Sequence, residues 1–235
     1  MTSPILLTGG TQRLGLAIAE MLLDKGETLI ITYRTAKPAV DLLAKKGATM
    51  IQCDFQRQED IESLIAQVRN QAPVLKCIIH NASDWDAEKD NLASPEILQK
   101  MMQVHVNAPY LINWALEGNL RQFNGFADII HMTDYVQETG SAKHVAYAAS
   151  KAALHNLTLS FAKKLAPDVK VNSIAPALVM FNEWDDDAYR EKSQKKSLLE
   201  KVPGAIEAVK AVEYLLNSDY VTGQTLHLNG GRHLK

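Results

Sequence analysis

The stretch TDYVQETGSAKHVAYAASK, residues 133–151, sets a lysine, Lys151, four places after a tyrosine, Tyr147, and an aspartate, Asp134, thirteen places before it. A helix turns once in about 3.6 residues, so Tyr147 and Lys151 share a face, one turn apart. An acid, a phenol and an amine held together can deliver a proton. The phenol has a reference pKa of about 10; a neighbouring ammonium lowers it toward working pH, and a neighbouring carboxylate favours its protonated form. Spacing alone is a weak signal, because Tyr33 and Lys37 in YRTAK have the same separation and fall at a predicted strand end. The set needs a scaffold that carries Asp134 to the other two.

Short apolar runs alternate with longer amphipathic ones, the pattern of a parallel sheet with helical crossovers. Strands are predicted over 4–8, 28–33, 49–53, 75–80, 127–133, 169–174 and 225–228, and helices over 13–25, 37–46, 58–71, 95–116, 144–165 and 204–217. No linker rich in Gly, Pro or Ser and no internal repeat divides the chain. Residues 1–235 therefore read as a single α/β domain, a Rossmann-type doubly wound, seven-stranded parallel sheet flanked by helices. Residues 177–203 are irregular, with a DDD run and many lysines. They read either as a solvated loop and helix or as a lid over a pocket at the strand C-termini.

The first strand runs into TGGTQRLG, residues 8–15, and then a helix. Such a turn lets backbone N–H groups and a helix N-terminus face a pyrophosphate, with glycines allowing close approach. An NAD-binding fold carries an acid at the end of its second strand for the ribose 2′-hydroxyl, whereas Tyr33, Arg34 and Thr35 stand there in this chain. A guanidinium pairs with a 2′-phosphate that an acid would repel, which favours NADPH over NADH. Arg13, inside the turn, adds a second cation.

Bulk properties exclude several classes. At 46% hydrophobic and 22% charged the chain is an ordinary globular one, and a net charge of −2 without a basic stripe argues against nucleic-acid or anionic-membrane partners. The start, MTSPILLTGG, lacks a charged n-region and its apolar run stops at Gly9, so it reads as neither signal peptide nor membrane span, and the protein as cytoplasmic. Cys53 and Cys77 lie in apolar runs without a ligand cluster, as buried free thiols would, and no metal site is expected.

In their order, TGGTQRLG, CDF with Asp54, HNAS with Asn81, Ala82 and Ser83, the Tyr147/Lys151 pair, VNSIAP ending at Pro176, and VTGQTLHLNGG resemble the short-chain dehydrogenase/reductase family over essentially the whole chain. Two departures resemble its pteridine reductase branch: Arg13 replaces the turn's middle glycine, and Asp134 replaces the usual catalytic serine. Trp85, after HNAS, falls at that branch's substrate-stacking aromatic. The resemblance implies NADPH held by Gly9, Arg13, Leu14, Gly15, Tyr33, Arg34, Thr35, Asp54, Asn81, Ala82, Ser83, Tyr147, Lys151 and Pro176. It also implies a dihydropterin held by Arg13, Ser83, Trp85, Asp134 and Tyr147, with Asp134, Tyr147 and Lys151 catalytic. His105 stands where the family often has a catalytic asparagine; it reads as a satisfied core histidine or as a proton relay.

The implied reaction is reduction of a C=N bond, hydride to C6 and proton to N5, which suits an aspartate better than reduction of a ketone, where a neutral serine donates to the carbonyl. A carbonyl reductase and an NADP-binding regulatory protein without catalysis are the alternatives; the intact Tyr147/Lys151 pair weighs against the second. Residues 146–162, AYAASKAALHNLTLSFA, carry apolar side chains on more than one helix face, as a helix buried against both a sheet and a partner subunit would, so a homo-oligomer is expected.

Overall fold

Strands inside a parallel sheet are covered on both faces and have no polar side to present, which is why they appear in the sequence as short unbroken apolar runs. The computed structural model of the protein describes residues 3–88 and 92–235. Its strands are β1 (Ile5–Leu7), β2 (Leu29–Tyr33), β3 (Thr49–Gln52), β4 (Cys77–His80), β5 (Ala127–Met132), β6 (Val169–Pro176) and β7 (Thr225–Leu228). Every residue of β1, β4, β5 and β6 is buried, while the edge strands β3 and β7 are only partly so. All pairings are parallel, in the order β3-β2-β1-β4-β5-β6-β7. The seven predicted strands are present, with β6 running on to Pro176.

The helices are α1 (Arg13–Asp24), α2 (Pro38–Lys45), α3 (Gln58–Gln71), α4 (Pro95–Met102), α5 (Ala108–Arg121), α6 (Val136–Thr139), α7 (Val145–Leu165), α8 (Asp187–Gln194) and α9 (Ile206–Asn217). On one face of the sheet α3, α5 and α7 bury Leu64, Leu116 and Leu165; on the other, α1 and α9 bury Leu22 and Val212. The chain builds outward from β1 to β3, then returns to lay β4 on the other side of β1. That reversal opens a crevice at the carboxyl ends of β1 and β4, where α/β sheets take their ligands.

One prediction needs correction. The helix expected over 95–116 is interrupted by a π-helical segment, Gln103–Asn107, before α5 continues to Arg121. The wider turn carries one extra residue per cycle, a device common at functional sites, and it leaves Val104 and His105 buried. The stretch 177–203, expected as a loop and helix or as a lid, contains α8, which starts where the Asp186 carboxylate accepts from the Tyr189 N–H at 2.7 Å.

At the opposite, amino-terminal ends of β5 and β6, Lys170 Nζ lies 3.0 Å from Asp128 Oδ1 with both side chains almost wholly buried. Burial raises the Asp128 carboxyl to about 6 against the pull of Lys170. Removing one member strands the other charge in the core. Lys170→Met should therefore cost about 3–5 kcal/mol in urea unfolding, and the double replacement Asp128→Leu/Lys170→Met should recover most of that loss. Equal destabilisation of single and double variants would show that the pair is not held as a buried unit.

Candidate active site

Two adjoining cavities open at the carboxyl ends of the strands, and together they are lined by every residue the sequence assigned to cofactor or substrate. One, of about 240 Å³, is bordered by Tyr33, Arg34 and Thr35 from the end of β2, by Asp54 after β3, and by Ala82. The other, of about 360 Å³, holds Arg13, Leu14, Gly15, Asn81 and Trp85 on one side and Asp134, Tyr147, Lys151 and Pro176 on the other. Gly9, Gln12 and Ser83 line both.

The turn after β1 is shaped by contacts that leave no room for a Cβ. Gly9 has φ +65°, and a Cβ there would lie 2.9 Å from Ala82 Cα; one on Gly15 would lie 2.3 Å from Gly9 O. Two residues given no site role in the sequence hold this turn. Thr8 Oγ1 accepts from the N–H groups of Asn81, at 3.0 Å, and Ala82, at 2.9 Å, and Thr32 Oγ1 accepts from Gly9 N at 3.0 Å. The Asn81 amide donates to Thr8 O and Gly9 O, at 3.1 and 2.9 Å, so it builds the turn from behind.

Arg13 has φ +51°, the left-handed conformation that suits the glycine it replaces. Its guanidinium reaches Asn182 Oδ1 at 2.6 Å and Met180 O at 3.2 Å, joining the turn to the segment after β6. At the far end of the crevice Arg34 Nη1 pairs with Asp84 Oδ2 at 2.9 Å. Lys37, set aside in the sequence as half of a chance pair, lines the same cavity and bonds Gln12. A glycine cradle at a helix N-terminus with cations at the end of β2 fits a dinucleotide bearing an extra phosphate.

The catalytic candidates come from three places. Asp134 follows β5; its Oδ1 accepts from Val136 N at 3.0 Å, which starts α6, and its Oδ2 accepts the Tyr147 hydroxyl at 3.0 Å. Lys151, 2% exposed, donates from Nζ to Met132 O at 2.9 Å and stands 5.5 Å from the Tyr147 ring centre. Burial brings its ammonium down from 10.5 to about 8, with the Asp134 charge holding it up. Burial raises Asp134, opposed by the Val136 N–H and Lys151.

Tyr147 departs from the sequence expectation. Its pKa lies well above 10, pushed up first by burial and then by Asp134. The lysine does not bring the phenol toward neutrality, because its ammonium points to the Met132 carbonyl. Tyr147 is thus a fully loaded proton donor in the free protein.

Around this set, Trp85 is 63% exposed at the cavity mouth, its ring tilted at 45° against His144. Glu88, from the same loop, accepts from the first N–H groups of α7, Val145 at 3.1 Å and Ala146 at 2.8 Å, which holds its carboxyl below the usual range. No sequence signal marks this cap, because it is set by a partner 57 residues away.

Residues 10–233 match the family model described as enoyl-(acyl carrier protein) reductase. The dihydromonapterin reductase of Escherichia coli O6:K15:H31 is 52% identical over 233 residues, 99% of this chain and 97% of that one. That of Klebsiella pneumoniae subsp. pneumoniae is 51% identical over the same shares. The FolM alternative dihydrofolate reductase 1 of Brucella canis, solved in complex with NADP, superposes with a TM-score of 0.90 at 26% identity, covering 99% of this chain and 94% of that chain. With the model and the relatives each spanning nearly all of it, this chain belongs to the short-chain dehydrogenase/reductase family.

Proposed function

We propose that this protein reduces 7,8-dihydromonapterin to the tetrahydro form with NADPH. One observation carries the reading: the hydroxyl of Tyr147 is held by a carboxylate, Asp134, at 3.0 Å, where a ketone reductase would place a neutral serine. The names of the relatives half identical to this chain support it. Dihydrofolate, which shares the ring, is a weaker substrate under the same reading; the FolM neighbour, an alternative dihydrofolate reductase, agrees with this.

Gly9, Gly15, Arg34 and Lys151 would hold NADPH, with Arg34 on the 2′-phosphate and Lys151 on the nicotinamide ribose. When bound, NADPH supplies the hydride for C6. Tyr147 gives its proton to N5 as the hydride arrives, and burial keeps that proton in place until then. Asp134, its pKa raised by burial, passes a replacement proton from water to the Tyr147 oxygen. Trp85 stacks on the flat pterin and presses it toward the nicotinamide. Residues 177–203 act as a lid: Leu178 and Met180 line the cavity, and Arg13 ties the lid to the cofactor turn.

We also read the protein as a cytoplasmic homo-oligomer. Cys53 and Cys77 are buried and unpaired, as in a reducing compartment, and no described helix is long and apolar enough to cross a membrane. Tyr110 and Trp114 of α5 stand nearly half exposed beside Phe161 of α7, an aromatic face suited to a second copy.

The reading is tested by NADPH oxidation with dihydromonapterin, dihydrobiopterin and dihydrofolate supplied separately. Dihydromonapterin should turn over fastest, and Tyr147→Phe should bind NADPH normally while kcat falls by about 10²–10⁴. Near-normal turnover in Tyr147→Phe would remove that residue from the chemistry.

NADPH affinity should depend on pH in a direction set by Lys151. Its lowered pKa keeps the cation full below about 8 and loses it as pH rises, so the Kd should be level through neutrality and weaken above about 8. Because the Asp134 charge holds that value up, Asp134→Asn should move the weakening to lower pH; an unmoved limb would separate the two groups.

A further inference from the structure

Asp84, which the reaction does not use, holds the residue that faces the cofactor's extra phosphate. Its side chain is only 14% exposed, and four groups surround the carboxylate. Oδ1 accepts from Trp85 N at 3.0 Å, and Oδ2 accepts from Gln56 Nε2 at 2.8 Å and Arg34 Nη1 at 2.9 Å, with Lys100 Nζ 3.5 Å away. Asp84 and Arg34 line the same cavity, the one of about 240 Å³ at the end of β2. An NAD-binding fold carries an acid on its second strand at this place. Here β2 ends without one, and the loop after β4 brings an acid to the same spot.

The two partners are not held alike. Gln52 Nε2 donates to Arg34 O at 3.1 Å and fixes the arginine's backbone, but its side chain is 53% exposed and its guanidinium bonds no acceptor besides Asp84 among the described residues. A salt bridge with one partner so exposed is weak, and a phosphate, which can take two guanidinium N–H groups in parallel, is the stronger acceptor. The carboxylate keeps Gln56, Trp85 and Lys100 when the guanidinium turns away. Arg34 is therefore the mobile member of the pair and Asp84 the fixed one.

We propose that Asp84 is a specificity-determining residue that competes with the cofactor's 2′-phosphate for Arg34 and so moderates the preference for NADPH over NADH. It acts through Arg34 and takes no part in the chemistry. NADPH must draw the guanidinium from Asp84 and then leave its phosphate beside a carboxylate, and both steps weaken its binding. NADH, with a hydroxyl at that position, leaves the pair intact and meets neither cost. The inference rests on the assignment of Arg34 to the 2′-phosphate.

The test measures the Kd of NADPH and of NADH by isothermal titration of the full-length protein at low and high salt. Asp84→Asn removes the charge but keeps the Oδ1 acceptor for Trp85 N. It should tighten NADPH about tenfold at low salt, the weight of one like charge at a partly exposed site, and leave NADH little changed. Salt at about 1 M should shrink that gain by screening, which a purely structural role for Asp84 would not produce. In an Arg34→Ala background the same replacement should gain less, because no pair is left to break. Should the asparagine variant fold poorly, Asp84→Ala should reproduce the tightening. Unchanged or weaker NADPH binding, a gain insensitive to salt, or an equal gain with and without Arg34 would each overturn the proposal. NADH bound more tightly than NADPH by the unmodified protein would overturn the role of Arg34 and this inference together. A preference for NADPH that Asp84→Asn does not increase would overturn only the inference.

Discussion

The whole crevice depends on how closely the turn after β1 can approach the loop after β4. Thr8 Oγ1 accepts two N–H groups from that loop, and the Asn81 amide returns two bonds to the turn. Gly9 and Gly15 allow the backbones to meet at distances a Cβ would forbid. Each bond is worth about 1 kcal/mol net, yet an orphaned buried N–H would cost about 1–3 kcal/mol, so loss of the Thr8 hydroxyl matters more than its bond count suggests. Because the loop after β4 continues through Ser83, Asp84, Trp85 and Glu88, this one contact also places the carboxylate partner of Arg34, the mouth aromatic and the cap of α7.

Burial does the rest of the chemistry's preparation. The interior pulls Lys151 down and pushes Tyr147 and Asp134 up, so each ionisable group is moved toward its neutral form. The phenol is therefore loaded, and the ammonium is the group poised near neutral pH. Opposite charges temper the effect: Asp134 supports the Lys151 cation, and Lys151 helps keep Asp134 ionised.

Beneath the site lies a second polar chain that carries no reaction. His80 Nε2 lies 2.7 Å from Asn113 Oδ1, Asn113 Nδ2 3.2 Å from His131 Nε2, and His131 Nδ1 2.9 Å from Thr158 Oγ1. Burial lowers both histidines, His80 to about 4, so they act as neutral imidazoles with one donor and one acceptor each. The chain joins the ends of β4 and β5 to α5 and α7, and His131 precedes Met132, whose carbonyl holds Lys151. A satisfied polar chain admits one arrangement of these elements, which a purely apolar core would not specify.

Period and composition were enough to determine the sheet, because fully buried parallel strands must be apolar runs and their crossover helices amphipathic. The motif order likewise singled out the glycine turn, Arg34, Asp134, Tyr147 and Lys151, all of which line the two cavities, whereas Lys37 and Met180 line them without any such mark. Tertiary structure alone decided what those residues touch. Arg13 binds the segment after β6, Lys151 turns to a carbonyl, and Asn81 faces the backbone of the turn, none of which local spacing encodes. The π-helical segment was invisible for a similar reason: one extra residue in a turn leaves the hydrophobic period of 95–121 nearly unchanged, and only packing against α7 reveals that it delivers His105 to Ser83 and Ser150. The protonation states, finally, follow from burial, which depends on the surroundings of a group and not on its neighbours in the chain.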